Sequence, residues 1–219
     1  MTVYPLMKAE IFHINTGKPD HRETTDTLCR ALREGSVIAY PTETFYGLGA
    51  SILCEKAIER IFVIKGREKG KPLPVIIPGP DSLHDLCSEI PGIALALMDK
   101  FWPGGLTLIF RASKVVSPLI TGGSSKIGVR VSSNPIAQEI VSTLGTPIIA
   151  TSANITGEPG CTTAQEVLER LGTRIDYIVD GGRTEGMEAS TVLDLTLTPP
   201  RIVREGVVRE ENLNPILSP

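Results

Sequence analysis

Apolar positions along this chain change their period repeatedly. In "HRETTDTLCRALREG", Leu28, Ala31 and Leu32 fall three and four apart, the spacing that builds one apolar face of a helix, and Gly35 stands where a helix-ending residue belongs. "SVIAYP" follows as a short, continuous apolar run, which predicts a buried strand. The helical period returns in "CEKAIERIFVIK" through Ala57, Ile58, Ile61 and Phe62, then gives way to a strand-like "PLPVIIPG". Further helices are expected at "PGIALALMDKFW", "NPIAQEIVSTLG" and "TAQEVLERLG", and strands at "GLTLIF", "KIGVRV", "TPIIA", "DYIVDG", "STVLDL" and "PRIVREG". This order predicts an α+β fold with α/β-type layers, in which helices flank a twisted mixed sheet. No internal repeat or low-complexity linker interrupts it. "TGGSSK" (121–126) and "DGGRTEGMEAS" (180–190) are rich in Gly and small polar residues, as expected of flexible loops.

Composition narrows the class. The 219 residues are 41% hydrophobic and 21% charged, ordinary for a folded domain that buries roughly 70% of its unfolded surface. Apolar runs fall short of the roughly 18 residues a membrane span needs. The opening "MTVYPLMKAEIF" lacks a basic region followed by a long apolar stretch, so a cytoplasmic location without a membrane partner is expected. Cys29, Cys54, Cys87 and Cys161 are scattered with no C-x-x-C, and are expected to be reduced thiols, mostly buried. A net charge of −3 leaves no global basic footprint, so any bound anion must be held by a local cluster.

One such cluster is "IFVIKGREKGKPLPVII", where Lys65, Arg67, Lys69 and Lys71 gather with Glu68 as the only local counterweight. Lys65 lies four after Ile61 and three after Phe62, so it continues the buried helical face and should emerge at the sheet edge. The alternative is that Lys65 and Arg67 merely complement the helix dipole. "IGVRV" puts Gly128 and Arg130 on one strand face, room for a ligand that a guanidinium can clasp, or else an arginine on an open face. "PRIVREG" adds Arg204 as a further cation. "IIATSANITGEPG" follows an apolar strand with Thr151, Ser152 and Asn154, short side chains suited to an oxyanion or to turn and capping duty. "YPTETFYGLG" is similar: a strand, two threonine hydroxyls, then glycines. His13, His21 and His84 are isolated, and no Walker loop, dinucleotide fingerprint or nucleophile elbow occurs. The chemistry indicated is anion positioning, with no metal ligand set.

Taken in order, "PTETFYGLG", "KGREKGKPLPVII", "FWPGGLTLIF", "IGVRV", "TSANITGEP", "STVLDLT" and "IVREG" resemble the YrdC-like family of threonylcarbamoyl-AMP synthases. The resemblance implies a single YrdC-like domain over residues 1–219, with a core from 25 to 205, built as a YrdC/RibB-like twisted mixed sheet with a concave basic groove. It implies a nucleotidyltransferase that makes threonylcarbamoyl-AMP and pyrophosphate from ATP, L-threonine and bicarbonate, for threonylcarbamoyladenosine modification of tRNA. Mg²⁺ would accompany the phosphates without a dedicated protein site. Downstream tRNA threonylcarbamoyl-transfer proteins, and tRNA itself, are the implied partners.

Carried over residue by residue, the resemblance makes Lys65, Arg67, Ser152 and Asn154 the catalytic set. Arg67, Lys71, Ser152, Gly160 and Arg204 would surround the nucleotide, and Thr44, Arg130, Ala150 and Ser190 would hold threonine. Three positions depart from the family pattern: Lys71 replaces a common Asn, Ile76 a common His, and Lys126 a small hydroxyl residue. The competing readings are an RNA-binding module, against which the net charge weighs, and a paralogue of the same fold without synthase activity.

Overall fold

A computed structural model describes residues 8–14, 21–186 and 188–217. Most of the "MTVYPLMKAEIF" opening, and Met187 within the 180–190 loop, lie outside the described residues.

The apolar periods become elements much as expected, but the strands are shared between two mixed sheets. The first sheet places β1 (Glu10–His13), β9 (Tyr177–Asp180), β2 (Ile38–Pro41), β3 (Tyr46–Gly49) and β8 (Thr151–Ser152) side by side in that order. The pairings β1 with β9 and β9 with β2 are parallel, and the remaining two antiparallel. The second sheet runs β11 (Arg201–Arg204), β10 (Thr191–Asp194), β5 (Leu106–Arg111), β6 (Lys126–Arg130), β4 (Val75–Ile76) and β7 (Ile148–Ile149). "PLPVIIPG" yields only the two-residue β4, because Pro72, Pro74 and Pro78 have no N–H to give to a ladder.

Helices cover both sheets. α1 (Arg22–Arg33) packs on α3 (Pro135–Leu144), and Leu28, Leu32, Ile140 and Val141 close over Ile38 and Tyr40. α2 (Glu55–Lys65) delivers Ile58, Ile61 and Phe62 to a larger core with Leu48, Val75, Leu108 and Val129. Cys29, Cys87 and Cys161 are buried free thiols, and Cys54 is half-buried. Among the described residues no helix is long and apolar enough to cross a membrane.

The two sheets meet along one segment, 148–154. Its β7 end belongs to the second sheet and its β8 end to the first, so its backbone must be satisfied from both sides. The amide of Ile149 donates to the Ala50 carbonyl at 3.0 Å, that of Ala150 to Pro74 at 2.9 Å and that of Ala153 to Tyr46 at 2.7 Å. From β2, the buried Tyr40 hydroxyl donates to the Ile149 carbonyl at 3.0 Å.

This seam leaves no slack at Gly49. A Cβ there would lie 2.7 Å from both Tyr40 Cε1 and Ile148 Cδ1, atoms of two fully buried side chains. Gly49→Ala is therefore expected to cost about 1–3 kcal/mol through overpacking, read as a lowered urea midpoint. An unchanged midpoint would mean the seam is loosely packed.

Candidate active site

The cationic joint after α2 divides in two. Lys65 is the last helical residue and only 2% exposed, so its side chain leaves with the buried face of α2. Gly66 then adopts a left-handed φ of +58°, and the Arg67 amide closes on the Phe62 carbonyl at 2.9 Å, the reversal that ends many helices. Beyond it, Lys69 turns to solvent and pairs with Glu59 at 2.7 Å, while Lys71 pairs with Glu68 at 3.5 Å. Only Lys65 and Arg67 turn inward.

Lys65 spends its three protons on the loop that follows the seam. Its Nζ donates to the Ser152 carbonyl at 2.5 Å and to the carbonyl and Oδ1 of Asn154, each at 2.9 Å. The Ser152 hydroxyl donates to the same Oδ1 at 2.6 Å, and Asn154 Nδ2 donates to the Glu158 carbonyl at 2.5 Å. The ammonium thus fixes the shape of 152–154 and leaves its charge without a carboxylate partner. Its pKa is lowered to about 8, first by burial and then by the nearby Arg67 guanidinium.

Arg67 and Arg204 are tethered in the same way, by neutral oxygens. Arg67 Nη2 donates to the Pro72 carbonyl at 2.9 Å, and its Nε is buried with no partner among the described residues. Burial holds its pKa below the usual arginine value. Arg204 sits on the exposed edge strand β11, yet its guanidinium reaches inward, donating through Nε and Nη2 to the Ser190 carbonyl at 3.1 and 2.8 Å. Its pKa is lowered by burial, then by Arg130 and Arg67. Ser190 Oγ also accepts a hydrogen bond from the Thr107 hydroxyl at 3.0 Å, so its hydroxyl is held from both sides.

Arg130 differs. At the end of β6 it is 6% exposed, and its Nη1 pairs with Glu43 Oε1, while the fully buried Ser132 hydroxyl donates to Glu43 Oε2. Glu43 belongs to the turn between β2 and β3, whose Thr42 and Thr44 hydroxyls lie 3.1 Å apart. The ion pair therefore joins the first sheet to the second.

These groups line one cavity of about 230 Å³, formed where the sheets meet. Lys65, Arg67, Arg130, Ser152, Asn154, Thr44, Ala150, Ser190 and Arg204 all face it, with Phe45 and Tyr46, and no carboxylate among the described residues does. Two expected residues do not. Lys71 stands outside with Glu68, because the turn after Gly66 has already carried the chain to the surface. Gly160 lies behind the wall, where a Cβ would come 2.8 Å from the Phe45 ring. Ile76, at the position of the expected histidine, is fully buried in the core and contributes nothing to the lining. Glu43, Ser132 and Phe45 were not singled out by the sequence. The short "PTET" turn gave no period, and only the distant Arg130 explains the glutamate.

A second, more apolar cavity of about 440 Å³ shares Arg67, Pro74, Ser190 and Arg204 with the first. Ile109, Val192 and Val203 line it, and Lys126 pairs there with Asp194 at 2.8 Å. Lys126 is thus neutralised by a carboxylate where the inward cations Lys65, Arg67 and Arg204 are not.

A family model described as "Telomere recombination" (Sua5_yciO_yrdC) matches residues 30–206. A threonylcarbamoyl-AMP synthase of Pyrococcus abyssi is 43% identical over 186 residues, covering 85% of this chain and 55% of the relative. The solved structure of P. abyssi Sua5 complexed with L-threonine superposes with a TM-score of 0.91 at 39% identity, covering 95% of this chain and 61% of that one. E. coli YciO superposes with a TM-score of 0.85 at 32% identity, covering 93% and 98%. The chain therefore spans little more than half the length of the archaeal relative it matches.

Because Lys65 loses its charge near pH 8, the cavity's affinity for sulfate, whose own charge is constant here, is expected to fall as pH rises through about 8. Calorimetric titration should show this decline, and Lys65→Met should bind more weakly below that pH and show no such decline. A pH-independent affinity in the unsubstituted chain would contradict the assignment. The same shift acts on folding. Between about 8 and 10.5 the unfolded chain holds the proton that the folded one has released, so this group's contribution to stability rises with pH across that window.

Proposed function

The chain belongs to the Sua5–YciO–YrdC family, and from that premise we propose that it is a threonylcarbamoyl-AMP synthase acting on ATP, L-threonine and bicarbonate. The observation that carries this reading is the cavity lining: Lys65, Arg67 and Arg204 converge there with their charges held by neutral oxygens. Such a site suits a triphosphate meeting a carboxylated amino acid, two anions that repel one another in water.

In this reading the threonine carboxylate lies on the open edge of Arg130, with Thr44, Ala150 and Ser190 around the side chain. Its neutral amine forms an N–C bond with carbon dioxide, releasing a proton to solvent, or with bicarbonate, releasing water. A carbamate oxygen then attacks the α-phosphorus, the bond to the bridging oxygen breaks, and pyrophosphate leaves with the negative charge. Arg67, with its unpartnered Nε, and Arg204 neutralise charge on the phosphates, while the Ser152 hydroxyl and Asn154 orient the carbamate. Lys65 acts at one remove, holding 152–154 in shape and adding its field. Catalysis is then mostly positioning and electrostatic stabilisation.

Mg²⁺ belongs to this scheme as part of the MgATP substrate. The lining offers hydroxyl and amide oxygens but no carboxylate, and no cluster of His, Cys, Asp or Glu among the described residues could cage an ion. No protein metal site is proposed. The product, an activated threonylcarbamoyl group, would pass to tRNA-modifying proteins.

Pyrophosphate release from ATP is expected to require both threonine and bicarbonate, and to fall at least about tenfold in Arg67→Ala or Lys65→Ala, as for loss of a charge-stabilising group. Equal release with and without threonine would remove the assigned substrate.

A further inference from the structure

We propose that Glu43, acting through Arg130, divides the cavity into a charge-balanced end that admits a zwitterionic amino acid and a cationic end that admits phosphates. The proposal rests on the synthase reading for the identity of its two ligands, though its charge argument does not. Among the four cations that line the cavity, Arg130 is the one held by a carboxylate; Lys65, Arg67 and Arg204 are held by carbonyls and an amide oxygen. Glu43 cannot easily swing away, because Arg130 occupies one of its oxygens and the buried Ser132 hydroxyl the other.

The described contacts of Arg130 engage Nη1 alone, so Nε and Nη2 remain for a ligand. A guanidinium already balanced by Glu43 can still make two directional bonds to a carboxylate. It offers little net attraction to a phosphate dianion, which would also sit near the Glu43 charge. At the other end no carboxylate among the described residues pairs with the cations, Asp194 of the adjoining cavity being taken by Lys126. The two anionic substrates are thereby sorted: phosphates are drawn to Lys65, Arg67 and Arg204, and the amino acid finds the place they leave vacant. Without Glu43, Arg130 would become a further strong phosphate site, and ATP or pyrophosphate would compete with the amino acid for it.

The test is calorimetric titration of inorganic phosphate into the full chain and into Glu43→Gln, which keeps the size, loses the charge and exchanges one of the two acceptor oxygens for an amide donor. The variant is expected to bind phosphate at least about tenfold more tightly, and phosphate should become a competitive inhibitor against threonine in the pyrophosphate-release assay. Ser132→Ala, which frees one Glu43 oxygen but leaves its charge, should bind phosphate as the unsubstituted chain does. The double variant Glu43→Gln/Arg130→Gln should return phosphate affinity to the starting level, and Glu43→Ala, which also removes the charge and leaves Arg130, is expected to show the same gain should Glu43→Gln fail to fold. Equal phosphate affinity with and without the Glu43 charge would overturn the proposal, as would the same gain in Ser132→Ala or a gain that persists in the double variant. The phosphate titrations need no threonine, so absent threonine-dependent turnover would strike the synthase reading alone.

Discussion

Moving a cation out of water without an anion beside it costs free energy, several kcal/mol per ion once fully buried. This fold brings three cations to one place with no carboxylate paired to them among the described residues, Lys65 alone being fully buried. Lys65 is buried, Arg67 half-buried, and Arg204 brings its guanidinium inward from an edge strand. Each is held by carbonyl, amide or hydroxyl oxygens that satisfy its protons while leaving its charge standing. A structure selected for stability alone would have supplied carboxylates, as this one does for Lys69 and Arg60 on its surface and for Lys126 in the neighbouring cavity. The missing countercharge is best understood as belonging to a ligand.

The seam between the two sheets makes that assembly possible. Residues 148–154 change sheets within a few residues, so the loop after β8 lies within reach of the α2 terminus from one side and of the β2–β3 turn from the other. Lys65 then ties that loop to α2, and Glu43 ties the turn to β6. The residues that line the cavity thus come from seven separate parts of the chain. Their spacing is set by the sheets and not by the loops that carry them.

Much of this was legible in the residues. Lys65 follows Ile61 and Phe62 in helical period, which placed it on the buried face. The alternation in "IGVRV" put Arg130 opposite Val129, and Val129 is fully buried. The small polar residues of "TSAN" do end an apolar strand. What could not be read was pairing over long distance. Nothing in "GREKGK" says that the chain reverses at Gly66 and leaves Lys69 and Lys71 outside with Glu59 and Glu68. Nor does "PTET" reveal that Glu43 answers Arg130, 87 positions later. The second sheet was hidden for the same reason, since β7 and β8 are two-residue strands only one residue apart, where the sequence shows one apolar run passing into polar residues.

The central claim is that an anion completes the charge at Lys65, Arg67 and Arg204. A crystal structure of the chain with a non-hydrolysable ATP analogue and threonine tests it most directly. The account predicts phosphate oxygens within hydrogen-bonding distance of the Arg67 and Arg204 guanidinium groups, and the amino-acid carboxylate on Arg130. Phosphates seated instead on the outer lysines Lys69 and Lys71, with the inner cavity holding only water, would contradict it.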